Sequence, residues 1–328
     1  MEQRTLGPTG ADVSVIGLGT WQLGADWGDV DEGEAAAVLQ ASVDEGVTFF
    51  DTADVYGDGR SEQIIGRFLG ESQARVTVAT KMGRRVEQTP ANYTLDNFRA
   101  WTDRSRENLQ KDTLDLVQLH CPPTEVIESP QTYDDLETLR SEGAIAAYGV
   151  SVETCAQALA AIDRGAATIQ IIVNAFRLKP FDEVLPAARE KGVGIIVRVP
   201  LASGLLSGRY TKDTTFAPDD HRTFNRHGEA FDQGETFAGV DFETGVVAAQ
   251  EFAALARGAA PDATTAQVAL AWLAQQPGVT TVIPGARNVE QARANAAAGS
   301  LPPLGEGFDA DVRRLYDERF RAAVHGRW

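Results

Sequence analysis

Short apolar, β-branched runs alternate with helix-forming segments along most of the chain, and this rhythm restricts the available folds more than any other feature. The runs are Val13–Gly17, Val47–Asp51, Val76–Lys81, Leu114–His120, Ile145–Val150, Thr168–Val173, Val193–Val199 and Val279–Ile283. Several are continuously apolar rather than alternating, which marks strands buried on both faces of a parallel sheet. Between them, Leu95, Phe98, Thr102, Ser105 and Leu109 recur on one helical face. Ala35–Val43, Glu62–Leu69, Tyr133–Arg140 and Ala156–Ile162 are similarly rich in helix formers. Gly46, Gly143 and Gly192 fall where helices must stop before a strand, and Ser61 is placed to cap the helix after it. Eight such units predict an α/β fold of the (β/α)8 (TIM) barrel type, ahead of a doubly wound sheet.

The 328 residues fit one barrel domain over 1–328 with additions. Arg4–Leu6 and Asp12–Val15 flank Gly7-Pro8-Thr9-Gly10, which predicts an N-terminal hairpin at the barrel floor. After the seventh strand, a polar stretch over about 200–240 is too long for an ordinary connection, and its position predicts a cover over cofactor and substrate. Asn288–Ala298 reads as the last barrel helix, and Asp309–Ala323 as an extra helix in a C-terminal segment of about 305–328.

Thirty Lys and Arg against 47 Asp and Glu leave a formal charge of −17, which argues against nucleic acid or anionic lipid as partners. Two cysteines, Cys121 and Cys155, are too few for a disulfide framework. With no apolar leader after Met1-Glu2-Gln3-Arg4 and no long apolar run, a cytoplasmic protein away from membranes is expected. Nothing in the pattern marks an oligomeric state.

Asp51, Tyr56, Lys81 and His120 end strands or lie just beyond them, and a barrel brings all such positions to one end. A tyrosine with an ordinary pKa near ~10 is a poor acid at neutral pH unless a cation stabilises its phenolate. Lys81 can supply that cation, Asp51 can fix the ammonium, and His120 can bind the oxygen that Tyr56 protonates. The set forms a general acid aimed at a carbonyl oxygen, and the electron pair for reduction must come from a cofactor. A metal site of Asp51, Asp54, His120 and Cys121 would leave Tyr56 and Lys81 idle, so no metal is expected. A dinucleotide fingerprint beginning at Gly17 and Gly19 fails at Gln22, where its third glycine would stand.

These residues resemble the aldo-keto reductases, in particular bacterial, NADPH-dependent members. Asp51-Thr52-Ala53-Asp54-Val55-Tyr56-Gly57 with Ser61-Glu62 and Ile65-Gly66 looks like the family signature, and Lys81 and Leu119-His120 stand where its other tetrad members stand. Arg4-Thr5-Leu6-Gly7 and Val15-Ile16-Gly17-Leu18-Gly19-Thr20-Trp21 look like its hairpin and first strand. The resemblance implies an oxidoreductase that reduces aldehydes or ketones, with NADPH (NADP+) ahead of NADH and Tyr56 as acid. It implies that Ser151 and Gln170 bind the nicotinamide carboxamide beside Thr20 and Trp21. Pro200, Leu201, Ser203, Gly204 and Arg209 would strap the pyrophosphate, and Gly285, Arg287, Gln291 and Asn295 would hold the adenosine end, with Arg287 on the 2′-phosphate. Three departures stand out: Arg198 replaces an aromatic residue that commonly stacks on the nicotinamide, Val152 an asparagine, and Gly285 a lysine. Arg222 and Arg226 are further candidates for an anionic substrate or cofactor phosphate. A second reading is a nucleotide-binding redox sensor akin to the potassium-channel β subunits, against which the intact set of four argues.

Overall fold

The computed structural model describes residues 1–24 and 31–328. Strands β1 (Gln3–Thr5) and β2 (Asp12–Ser14) form an antiparallel hairpin. Strands β3 (Leu18–Gly19), β4 (Phe49–Asp51), β5 (Thr77–Met82), β6 (Leu116–His120), β7 (Tyr148–Ser151), β8 (Thr168–Ile172), β9 (Gly194–Arg198) and β10 (Thr281–Val282) pair in parallel and in chain order. Parallel bridges from Ile16 to Val282 and from Gly19 to Gly285 close the sheet on itself. Each parallel neighbour needs a crossover, supplied mainly by helices on the outer face. These are α1 (Glu32–Asp44), α2 (Arg60–Ser72), α3 (Leu95–Leu109), α4 (Thr124–Glu128), α5 (Pro130–Ser141), α6 (Cys155–Asp163), α7 (Lys179–Lys191), α9 (Phe242–Ala259), α10 (Thr265–Ala274) and α11 (Val289–Ala297), while the single turn α8 (His221–Phe224) lies at the barrel mouth. Helices α12 (Gly305–Arg319) and α13 (Arg321–Val324) follow the barrel. The (β/α)8 barrel read from the sequence is therefore present, and among the described residues no helix is long and apolar enough to cross a membrane.

Two apolar clusters fill it. The larger lies between sheet and helices; the smaller, with Phe49, Ala79, Leu116, Ile196 and Ile283, lies within the barrel and is closed from below by Leu6 and Val13 of the hairpin. Gly7 permits this plug: its φ is +54°, and a Cβ there would come within 2.5 Å of the Ala167 carbonyl.

Two local expectations are corrected. Val13–Gly17 is not one continuous barrel strand: Val13 and Ser14 belong to the hairpin, where Ser14 and Thr48 exchange hydrogen bonds, each hydroxyl accepting from the other's N–H at 2.9 and 3.0 Å, whereas Ile16 bridges to Val282 in the barrel. The first regular barrel strand is then the short β3 at Leu18–Gly19. Ser61 does not cap α2, which follows left-handed Gly59 (φ +94°); its hydroxyl instead lies inside, 2.9 Å from both Thr52 Oγ1 and Thr20 Oγ1.

The stretch between β9 and α9 folds over the C-terminal end of the barrel as short helical turns. Glu235 ties it to Arg84 (3.1 Å) and Arg198 (3.7 Å). Asp232 accepts from the Trp328 indole at 2.9 Å, and the Trp328 ring packs so closely on Gly239 that a Cβ there would meet it at 2.2 Å.

Candidate active site

Strand ends converge at one mouth of the barrel, and they carry the four ionisable residues picked out above. Asp51 ends β4, Lys81 is the penultimate residue of β5 and His120 ends β6, while Tyr56 sits on the turn after β4. Gly57 makes that turn possible: at φ +59° it lies against Gly24 so tightly that a Cβ would fall 1.8 Å from the Gly24 carbonyl oxygen.

Lys81 is 1% exposed, and its ammonium donates to Asp51 Oδ1 (2.5 Å), Thr52 O (2.8 Å) and Tyr56 OH (3.4 Å). The other Asp51 oxygen accepts from Gln170 Nε2 at 2.6 Å and Gln118 Nε2 at 3.3 Å. Gln170 Oε1 in turn accepts from the Ser151 hydroxyl at 3.4 Å, so a continuous polar chain runs from Ser151 to Tyr56. The His120 ring meets the Tyr56 ring edge to face at 6.0 Å, and Trp21 stacks on Tyr56 at 6.2 Å. His221 and Phe231 from the long loop pack edge-on against Trp21, which brings the loop to the site.

The protonation states follow from these surroundings. Desolvation deep in the cleft pushes the Tyr56 hydroxyl above its ordinary value despite the pull of Lys81, so the tyrosine stays protonated at neutral pH. Burial disfavours the Lys81 ammonium, but Asp51 and Tyr56 more than offset it and raise its pKa. Burial, joined by Arg84, Lys81 and Arg198, holds the His120 imidazole well below 6.5 and therefore neutral. Its Nδ1 is buried without a hydrogen-bond partner.

A cleft of about 410 Å³ opens over this group. Of the residues expected to meet a cofactor, Thr20, Trp21, Ser151, Gln170, Pro200, Leu201, Ser203, Gly204, Gly285, Arg287 and Gln291 line it. Arg209 is exposed and outside the lining. Asn295 also lies outside; its amide donates to Gly285 O at 3.0 Å and braces the lining from behind. Arg222 reaches the cleft, whereas Arg226 lies over the rings of Phe237 and Phe242, 5.2 and 4.9 Å from their centroids. Val199, Ala202 and Ser203 at the rim adopt φ values of 52°, 47° and 54°, a strain that active-site loops store.

Sequence reasoning missed the charged cluster at the same mouth. Arg84 and Arg198 face Glu153 and Glu235, with the Cys121 thiol beside them. Arg198 ends β9, while Arg84, Glu153 and Glu235 lie on the connections after β5, β7 and β9, so no motif groups them. Asp51, Asp54, His120 and Cys121 do not gather; among the described residues the potential metal ligands that come together are Cys121, Glu153 and Glu235, whose carboxylates are engaged by the two arginines.

Comparison with known proteins shows what the chain is similar to. The chain is 32% identical over 304 residues to the aldo-keto reductase YhdN of Bacillus subtilis, covering 90% of this chain and 87% of that protein. It superposes on a glycerol dehydrogenase from Gluconobacter oxydans with a TM-score of 0.79 and 27% identity, covering 97% of this chain and 95% of the other. An aldo-keto reductase from Klebsiella pneumoniae in complex with NADPH matches with a TM-score of 0.70 and 26% identity, over 96% of each chain. The model of the aldo/keto reductase family matches residues 15–316, and with the tetrad at the barrel mouth the chain belongs to that family.

Proposed function

We propose that this site reduces an aldehyde or ketone to the alcohol, using NADPH in preference to NADH, with Tyr56 as general acid. The observation that carries the reading is the Lys81 ammonium, 1% exposed, held between Asp51 at 2.5 Å and Tyr56 at 3.4 Å.

The cleft suits a dinucleotide. It runs from Tyr56 past Ser151 and Gln170, along the Pro200–Gly204 segment, to Arg287 and Gln291 at the start of α11. Gly204 at φ +94° lets backbone turn close to a bound phosphate, and a helix N-terminus favours anions. Ser151 and Gln170 would hold the carboxamide, Arg287 the 2′-phosphate, and Thr20 and Trp21 would flank the nicotinamide end. When bound, the reduced dinucleotide supplies the electron pair as a hydride to the carbonyl carbon.

The chain's residues supply the rest. Tyr56 stays protonated until negative charge develops on the carbonyl oxygen, and then gives up its proton. Lys81 meets the phenolate left behind, and Asp51 keeps the ammonium aimed and charged. His120, neutral, presents one N–H to the same oxygen and orients the carbonyl. Trp21, His221 and Phe231 shield the reacting atoms from water.

Nucleotide consumption is measured with a panel of aldehydes and ketones, using NADPH and NADH with native protein and Arg287→Ala. Carbonyl-dependent oxidation that favours NADPH, with the preference lost in the variant, supports the proposal. Equal losses for both nucleotides remove the role given to Arg287. Tight NADPH binding without oxidation across the panel favours a redox sensor instead.

A further inference from the structure

Trp328 lies beyond α13, far in sequence from the catalytic turn, yet its indole is lodged between the barrel and the segment that covers it. The side chain is 8% exposed. The Arg177 guanidinium lies over its ring, 4.3 Å from the centroid. Arg177 belongs to the barrel: it follows β8, is 2% exposed and donates through Nη2 to Glu153 O at 2.5 Å. Burial lowers its pKa only to about 10, so it stays charged at neutral pH, while its Nε and Nη1 have no acceptor. The indole face compensates this desolvated cation.

On the other side stands the covering segment. The indole N–H donates to Asp232 Oδ1 at 2.9 Å, and that oxygen also accepts from the Gly234 N–H at 2.7 Å, so one contact fixes the turn leading to Glu235. The fit excludes side chains: a Cβ on Gly234 would fall 2.2 Å from Arg177 Nη1 and 3.1 Å from the indole. From this turn the route to the cleft is short. Ser203 Oγ accepts from the Phe237 N–H at 3.0 Å and donates to Glu235 O at 3.2 Å. Ser203 and Glu235 both line the cleft. At φ +54°, Ser203 holds a conformation that persists only where its surroundings enforce it, and these two hydrogen bonds do so.

We infer that Trp328 is a positioning residue for dinucleotide binding: clamped between Arg177 and Gly239, it keeps the Asp232–Gly239 segment, and through it Ser203, in the geometry that retains NADPH. The inference rests on the function proposed above.

The test compares native protein with Trp328→Ala and Trp328→Phe in three readings: the NADPH dissociation rate by stopped-flow displacement, the first-turnover rate at saturating NADPH and aldehyde, and Tm. In Trp328→Ala the dissociation rate should rise roughly tenfold, equivalent to about 1.4 kcal/mol of lost binding, while the first-turnover rate stays within about twofold of native. Trp328→Phe keeps a ring beside Arg177 but loses the indole N–H, so its dissociation rate should fall between the two. Should Trp328→Ala fail to fold, Asp232→Ala removes the indole's acceptor and should raise the dissociation rate by a smaller factor. A lowered Tm with a native dissociation rate would show a purely structural role and overturns the inference, as does a slower first turnover with dissociation unchanged. Either result leaves carbonyl reduction by the native protein standing, whereas native protein that binds no NADPH overturns both.

Discussion

Replacing Lys81 by methionine removes the ammonium that Asp51 and Tyr56 share, and it separates a stability effect from a chemical one. The Lys81 and Asp51 side chains are 1% and 4% exposed and 2.5 Å apart, so the substitution strands a buried carboxylate. Breaking such a pair costs about 3–5 kcal/mol. At about 2.1 cal/mol/K of unfolding entropy per residue over 328 residues, Tm should fall by about 4–7 °C. Across the 3.4 Å from Lys81 to the Tyr56 oxygen, the ammonium attracts a phenolate by about 5 kcal/mol at an effective dielectric of about 20. Competing solvation reduces that figure, and the reduction rate should fall by about 10²–10⁴-fold, the usual worth of a general acid. Thermal unfolding followed by circular dichroism reads the first effect, and single-turnover oxidation of bound NADPH reads the second. Adding Asp51→Asn should restore most of the lost Tm, because the stranded charge is gone, yet leave the rate low. A single variant that melts like the native protein, or a double variant that regains its rate, would refute the reasoning.

Two further perturbations follow from the same neighbourhood. Asp54 is 1% exposed, neither carboxyl oxygen has a hydrogen-bond partner, and burial, reinforced by Glu62, pushes its pKa from 3.8 up to about 7. The folded state therefore holds this proton more tightly than the unfolded chain does, so stability is lost as pH rises from about 4 to about 7, by roughly 4 kcal/mol. Asp54→Asn should escape that loss, and denaturant titrations should show its advantage over native protein growing from pH 4 to pH 8; a pH-independent difference counts against it. Gly57→Ala places a Cβ 1.8 Å from the Gly24 carbonyl oxygen at a left-handed residue. It should cost more than ~2 kcal/mol in chemical denaturation and displace Tyr56, whereas native-like stability and rate would show that the turn relaxes freely.

Most barrel strands were legible because burial on both faces leaves continuous apolar runs, as at Phe49 and Phe50 of β4 or Ile169 and Ile171 of β8, all 0% exposed. The first strand was misread because Val13–Gly17 is shared between hairpin and barrel, and the Ser14–Thr48 exchange that divides it has no local signature. Ser61 misled for a related reason: a hydroxyl near a helix start reads as a cap, but left-handed Gly59 already ends the turn and frees Ser61 to face inward. Asp51, Tyr56, Lys81 and His120 were legible as a group because strand ends in a barrel share one mouth. The tie from Gln170 to Asp51 was not, since it spans the barrel interior between strands that are not neighbours. Arg198 stood out in sequence only as a departure; its meaning depends on Glu153, Glu235 and Arg84, which distant connections bring to it.

The central claim is that Tyr56 donates the proton in a carbonyl reduction that uses bound NADPH. The most direct measurement mixes protein preloaded with NADPH against excess aldehyde, following nucleotide absorbance through one turnover for native protein and Tyr56→Phe, alongside the NADPH Kd of each. The account predicts complete oxidation by native protein, a rate lower by about 10²–10⁴-fold in Tyr56→Phe, and NADPH affinities within about twofold of each other. Equal rates in the two proteins, or no oxidation by native protein that binds NADPH tightly, would contradict it.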